Sequence, residues 1–325
     1  MQTRLTERYR LAHPIVSAPM ALVSGGRLAA AVSTAGGLGL IGGGYAGFLG
    51  GEPDLEAQFD LALGERVGIG FITWALARAP DALDRVLARR PAMVFLSFGD
   101  PRQLAGVIRA AGVDLACQVQ SLRHAQEAVE AGAAVVGAQG TEAGGHGASR
   151  STMPLVPEIA DYLARAAPST LLLAAGGIAD GRGLAAALML GADGVVVGSR
   201  FWASAEALTP AGAVERAIAA TGDDTVRTRA IDRVRGVPWP DEFSFRVVRN
   251  RFADRWAEQE GHAAAKFGSM AAAYAEARAR LDFDTMAIVA GECVGLIKDR
   301  PGAGSVVTMM AAEAEALLRR GPDCR

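Results

Sequence analysis

Two glycine-rich segments and one histidine are the residues through which this 325-residue chain could do chemistry. Ala174-Ala175-Gly176-Gly177-Ile178-Ala179-Asp180-Gly181 and Val197-Gly198-Ser199-Arg200 each continue a short apolar run. Glycine lets a backbone approach phosphate oxygens closely, and N–H groups supply donors. Gly176, Gly177, Gly198 and Ser199 are therefore candidate phosphate ligands. Gln139-Gly140-Thr141-Glu142-Ala143-Gly144-Gly145-His146-Gly147 presents an imidazole between glycines. That suits either a general base or a substrate-binding group. His13 precedes an apolar run, and His124 and His262 fall in helical patterns, so all three read as packing or surface residues. Asp100, Glu142 and Asp180 are scattered without partnering histidines, which suggests no metal site. Cys117, Cys293 and Cys324 are too far apart for a disulfide framework or zinc spacing. The only lysines, Lys266 and Lys298, come late in the chain. Arginine cannot be deprotonated to act as a nucleophile, so Schiff-base aldolase chemistry is largely excluded.

Positioning these groups falls to eight short apolar runs: 15–18, 38–41, 67–71, 93–96, 114–118, 134–138, 171–174 and 194–197. Helix candidates separate them, at 27–34, 81–89, 101–110, 122–131, 157–166 and 183–190. Eight alternations imply parallel strands joined by crossover helices, and the count favours a closed (β/α)8 barrel over an open doubly wound sheet. The two glycine loops then follow strands seven and eight, where such barrels hold phosphate. Gly37-Leu38-Gly39-Leu40-Ile41-Gly42 fits the spacing of a dinucleotide fingerprint, but it surrounds a strand instead of opening a helix, so a Rossmann site is rejected. After Ala207 the pattern turns more polar, with helices expected over 246–260 and 269–281. Residues 210–290 are assigned to a helical cap, with 291–325 returning to the barrel through an apolar segment at 291–297 and a helix at 309–319.

In their order along the chain, Ala18-Pro19-Met20, Ala35-Gly36-Gly37-Leu38-Gly39, Ser97-Phe98-Gly99-Asp100-Pro101, the His146 loop, and the two phosphate loops linked by Gly191-Ala192-Asp193-Gly194 resemble the nitronate monooxygenase family, formerly called 2-nitropropane dioxygenases. The match runs from residue 14 to about 205, with weaker similarity beyond. The resemblance implies FMN held by Ala18, Pro19, Met20, Gln118, Gln139, Gly144, Gly145, Gly176, Gly177, Gly198 and Ser199, with His146 facing a small-molecule substrate. It also implies oxidation of alkyl nitronates with O2, giving a carbonyl compound and nitrite. The same barrel serves FMN-dependent reductases of quinones or enoyl thioesters, and a non-catalytic flavin-binding protein is the third reading. Phe71 and Trp74 are expected to shape an apolar pocket. Two positions depart from the family's habit: glutamine stands at 118, where lysine is common, and glycine at 70, where asparagine is common.

A formal net charge of -2 offers no positive field for nucleic acid, and no run approaches the roughly 20 apolar residues of a membrane span. Met1-Gln2-Thr3-Arg4 lacks the apolar core of a signal peptide. A soluble cytoplasmic protein is expected, with a homo-oligomer left open.

Overall fold

Alternation along the strands decides which side chains enter the barrel. In the computed structural model, which describes residues 1–47, 53–257 and 264–320, eight parallel strands form one sheet. They are β1 (Ile15–Ser17), β2 (Leu40–Gly44), β3 (Gly68–Ile72), β4 (Met93–Ser97), β5 (Asp114–Val119), β6 (Val135–Gln139), β8 (Leu171–Ala175) and β9 (Gly194–Val197), while β7 (Gly145–Gly147) belongs elsewhere. Their order is β1-β9-β8-β6-β5-β4-β3-β2. A parallel bridge between Val16 and Leu38 brings β1 to the segment leading into β2, so the barrel nearly closes. Met93 and Phe95 on β4 join Ala116, Val135, Leu171, Leu173 and Val196 in an inner cluster. Their neighbours Val94, Leu96, Leu115, Val136, Leu172 and Val195 pack outward under the helices. This is the period-two pattern of a sheet with both faces buried.

Helix Arg4–Tyr9 sits at the N-terminal end, with Leu5 and Tyr9 in the same inner cluster, and the Tyr9 hydroxyl donates to Asp114 at 2.8 Å. The floor is thereby sealed, and free space lies at the strands' C-terminal ends. The expected glycine run at 37–42 proves to be a matter of packing. A Cβ on Gly39 would lie 1.9 Å from the Ala29 carbonyl oxygen, and one on Gly42 would lie 2.1 Å from that of Met20.

Most expected helices form within a residue or two of their bounds. The one expected at 157–166 begins earlier, at Thr152, and carries Pro157 inside it. Its first turn is held by the Glu142 carboxylate, which accepts from the Thr152 N–H and hydroxyl. The last helix runs Ala303–Arg320 and packs tightly on helix Gly181–Met189, where a Cβ on Gly181 would lie 2.5 Å from the Ala314 nitrogen.

Beyond the barrel, helices Ala211–Ala219, Ala230–Arg235, Arg251–Trp256 and Ala264–Ala279 accompany two strands, β10 (Thr225–Thr228) and β11 (Ser244–Val248). The helix expected from 246 therefore starts as a strand and becomes helical only at Arg251, after an Asn250 cap that accepts from the Ala253 N–H. Strand β11 pairs antiparallel with both β10 and β7, making a three-stranded sheet that covers the barrel mouth. The end of the expected 246–260 helix, together with His262 and Cys324, lies outside the described residues.

Candidate active site

Small or amide side chains occupy the last inward positions of the strands. Parity with the inner cluster points Gly70, Gln118, Gln139 and Ala175 inward, and Ala18 and Gly198 continue the inward rows of β1 and β9. They leave a cavity of about 730 Å³ at the C-terminal mouth, within the roughly 300–1,000 Å³ of cofactor and ligand sites. Ala18, Pro19, Met20, Gln118, Gln139, Gly144, Gly145, His146, Gly176, Gly177, Gly198 and Ser199 all line it. Phe71 lines it too, whereas Trp74 stands behind, edge-on to Trp239 at 5.6 Å.

The two glycine loops meet on one wall. Gly176 and Gly177 have φ of +103° and +75°, which an L side chain adopts only with strain. Gly198 differs, because its φ is −103° and a Cβ there would meet only Ala18 Cβ at 3.7 Å and Met20 Sδ at 3.9 Å. No packing against protein demands glycine at 198, and the added carbon would project into cavity space. No side chain caps the backbone after Gly198. The Ser199 hydroxyl accepts from the Gly291 N–H at 2.8 Å and lies within hydrogen-bonding reach of the Cys293 thiol. By contrast Asp180 caps helix Gly181–Met189 and pairs with Arg182, and Asp100 pairs with Arg102, so both are structural.

His146 sits on β7 directly opposite Phe245 on β11. Its ring stacks on Phe245 at 4.3 Å and on Trp239 at 3.4 Å, with interplanar angles of 14° and 8°. Both faces are covered, and the residue is only 8 % exposed. The edge is held by Asp232, itself 3 % exposed, whose Oδ2 lies 2.9 Å from His146 Nε2. A carboxylate accepts, so Nε2 carries the proton and Nδ1 is the basic nitrogen. Nδ1 makes no hydrogen bond among the described residues. Burial pushes the imidazole below its ordinary 6.5, partly offset by Asp232.

The loop carrying His146 is pinned by Arg227 and Arg246. Arg227 donates to the carbonyls of Thr141, Gly147 and Ser244, and Arg246 donates to Thr141 while pairing with Glu292 at 2.7 Å. Burial and the neighbouring Arg246 pull the Arg227 guanidinium down to about 10.

A sequence profile of the family described as nitronate monooxygenase matches residues 2–58 and 71–313. This chain belongs to the nitronate monooxygenase family. A nitronate monooxygenase of Neurospora crassa is 33 % identical, over 94 % of this chain and 90 % of its own length. The structure resembles that of FabK from Thermotoga maritima, with a TM-score of 0.83, 29 % identity and 98 % of each chain covered. It also resembles a nitroalkane oxidase from Streptomyces ansochromogenes, with a TM-score of 0.79, 26 % identity, and 95 % and 98 % coverage. As a member of the nitronate monooxygenase family, the protein is a flavin-dependent oxidoreductase.

Several residues around this nitronate monooxygenase family site were not identified from the sequence. Asp232, Trp239 and Phe245 come from 86 to 99 positions beyond His146, in segments with no motif of their own. Arg235 and Arg278 also line the cavity and have no carboxylate partner among the described residues. Burial and repulsion from Arg235 both lower the Arg278 pKa. Cys117 is buried on β5, where desolvation pushes its thiol up to about 12, as befits a packing residue.

Proposed function

We propose that the protein oxidises alkyl nitronates with O2, using FMN bound in this cavity and releasing a carbonyl compound and nitrite. The observation that carries the reading is the open cradle at Gly198 beside Gly177 and Ser199, on the wall where a barrel would hold a cofactor phosphate. Ala18, Pro19, Met20, Gln118, Gln139, Gly144, Gly145 and Gly176 would complete the FMN site. When bound, the flavin would take electrons from the substrate and deliver them to dioxygen.

The chain's own residues supply binding and proton chemistry. With Nε2–H committed to Asp232, His146 would receive a proton at Nδ1 from a neutral nitroalkane, or orient a nitronate that has already lost it. Trp239 and Phe245 would keep water from the ring faces. Arg235 and Arg278 would attract an anionic substrate towards the cavity. Residues 210–290 would act as the substrate-side cap on a barrel made by 1–209 and 291–325.

Purified protein should be yellow and release FMN on acid denaturation. Mixed anaerobically with a nitronate, its flavin should bleach rapidly. Rapid bleaching by NADH or NADPH with no response to nitronate would instead identify a reductase, and slow response to all three would identify a non-catalytic flavin carrier.

A further inference from the structure

Three glutamines at the barrel mouth form a chain whose polarity is fixed from one end. Gln139 Nε2 donates to the His146 carbonyl oxygen at 3.0 Å. A carbonyl oxygen can only accept, so the Gln139 amide cannot be turned round. Its Oε1 must then face Gln118 and Gln120, and it accepts from Gln118 Nε2 at 2.9 Å and Gln120 Nε2 at 3.0 Å. Gln118 is thereby fixed with its nitrogen towards Gln139. Its Oε1 makes no hydrogen bond among the described residues and is not sealed from solvent, and the side chain lines the cavity.

We infer that Gln118 offers a ring N–H of the bound flavin a carbonyl oxygen, so that strand β5 supplies an uncharged acceptor and no positive charge to the reduced, anionic ring. The inference rests on the proposed flavin site. The arginines lining the cavity, Arg235 and Arg278, lie on cap helices Ala230–Arg235 and Ala264–Ala279, so β5 itself carries no cation into the cavity. Gly70, the other departure from the family's habit, cannot compensate either. A Cβ there would lie 2.3 Å from Pro19 Cγ, so no polar side chain fits without displacing the Ala18-Pro19-Met20 turn. A reduced flavin with no cation on β5 is a stronger electron donor than one with a lysine at 118, which favours its re-oxidation by dioxygen.

The test compares the wild-type holoenzyme with Gln118→Lys and Gln118→Met, reading the flavin midpoint potential and the dissociation constant for sulfite, whose adduct places negative charge on the ring. Gln118→Lys should raise the potential and tighten sulfite at least about tenfold, the effect of one added charge interaction. Gln118→Met removes the acceptor without adding charge, so it should weaken FMN binding roughly three- to tenfold and leave sulfite affinity within about twofold. Flavin bound normally in both variants, with potential and sulfite affinity unchanged, would overturn the inference alone. Wild-type protein that binds no flavin would overturn it together with the proposed function.

Discussion

Adding a side chain at Gly198 should weaken or exclude the cofactor according to its size and leave the barrel folded. The new Cβ would meet protein atoms no closer than 3.7 Å, and the φ of −103° lies outside the left-handed region. Gly198→Ala should therefore change the stability of the cofactor-free protein by no more than about 0.5 kcal/mol. The cofactor has less room. A phosphate oxygen accepting from a backbone N–H lies about 2.9 Å from the nitrogen, while a methyl carbon keeps other heavy atoms roughly 3.5 Å away. Alanine should weaken FMN, and valine, with two further methyls, should exclude it. Thermal melting with added FMN separates the two effects. At free FMN one hundred times its Kd, binding stabilises the native state by about 2.7 kcal/mol. For a chain of this size that is several degrees of Tm. The wild type should gain those degrees, Gly198→Ala fewer and Gly198→Val none, with all three melting together when FMN is absent. Gly198→Val that purifies with full flavin content and an FMN-dependent Tm would place the phosphate elsewhere.

Four further outcomes are expected. His146→Asn should lower turnover of a neutral nitroalkane by roughly 100- to 10,000-fold and spare that of a preformed nitronate; oxygen uptake with the two substrates measures this, and equal losses on both would remove the base. Because burial depresses the His146 pKa, its contribution to stability should be complete above pH 6.5 and be lost progressively from there down to the lower folded value, while nitroalkane kcat/KM is lost as pH falls through that folded value. Asp232→Asn, which removes the group opposing that depression, should move the acidic limb of the profile to still lower pH, and a limb moving upward would contradict the assigned pairing. Replacing Arg235 and Arg278 with glutamine should reduce kcat/KM for an anionic nitronate and flatten its dependence on salt, with little effect on a neutral nitroalkane; identical salt profiles would exclude steering by the pair.

The barrel was legible because its signal is local. Each strand is a short apolar run ending in glycine or a turn, and a strand buried on both faces needs no partner information to be found. The cap was harder to read. In Phe243-Ser244-Phe245-Arg246-Val247 the apolar residues recur every second position, a strand signal, and Phe243, Phe245 and Val247 are all buried. Arg246 holds an intervening position of that alternation yet is buried as well, and its charge is met by Glu292 and the Thr141 carbonyl. Such compensation depends on residues 46 positions downstream and 105 upstream, and no window of the sequence contains it. Pro157 misled in the same way. It marks a helix start by its chemistry, yet the helix begins at Thr152, held by the Glu142 carboxylate from ten residues earlier.

The cavity divides along the same line. Its floor and the wall of the two glycine loops come from consecutive residues at strand ends, so the loops after the last two apolar runs mark Gly177 and Gly198, while Gln118 and Gln139 are named by the family resemblance alone. The surroundings of His146 come from pairing between β7 and β11, because the register that opposes His146 to Phe245 also sets β7 near helix Ala230–Arg235 with Asp232 and near the loop with Trp239. A histidine between glycines is recognisable as reactive, but which nitrogen is basic depends on the carboxylate at the other. That choice is made 86 residues later in the chain. The proposed proton chemistry would therefore rest on the part of the molecule where local sequence says least, whereas the proposed cofactor site would rest on the part where it says most. Substitutions in β11 or helix Ala230–Arg235 should alter the pH profile and choice of substrate while the flavin stays bound. Those in the loops after β8 and β9 should remove the flavin first.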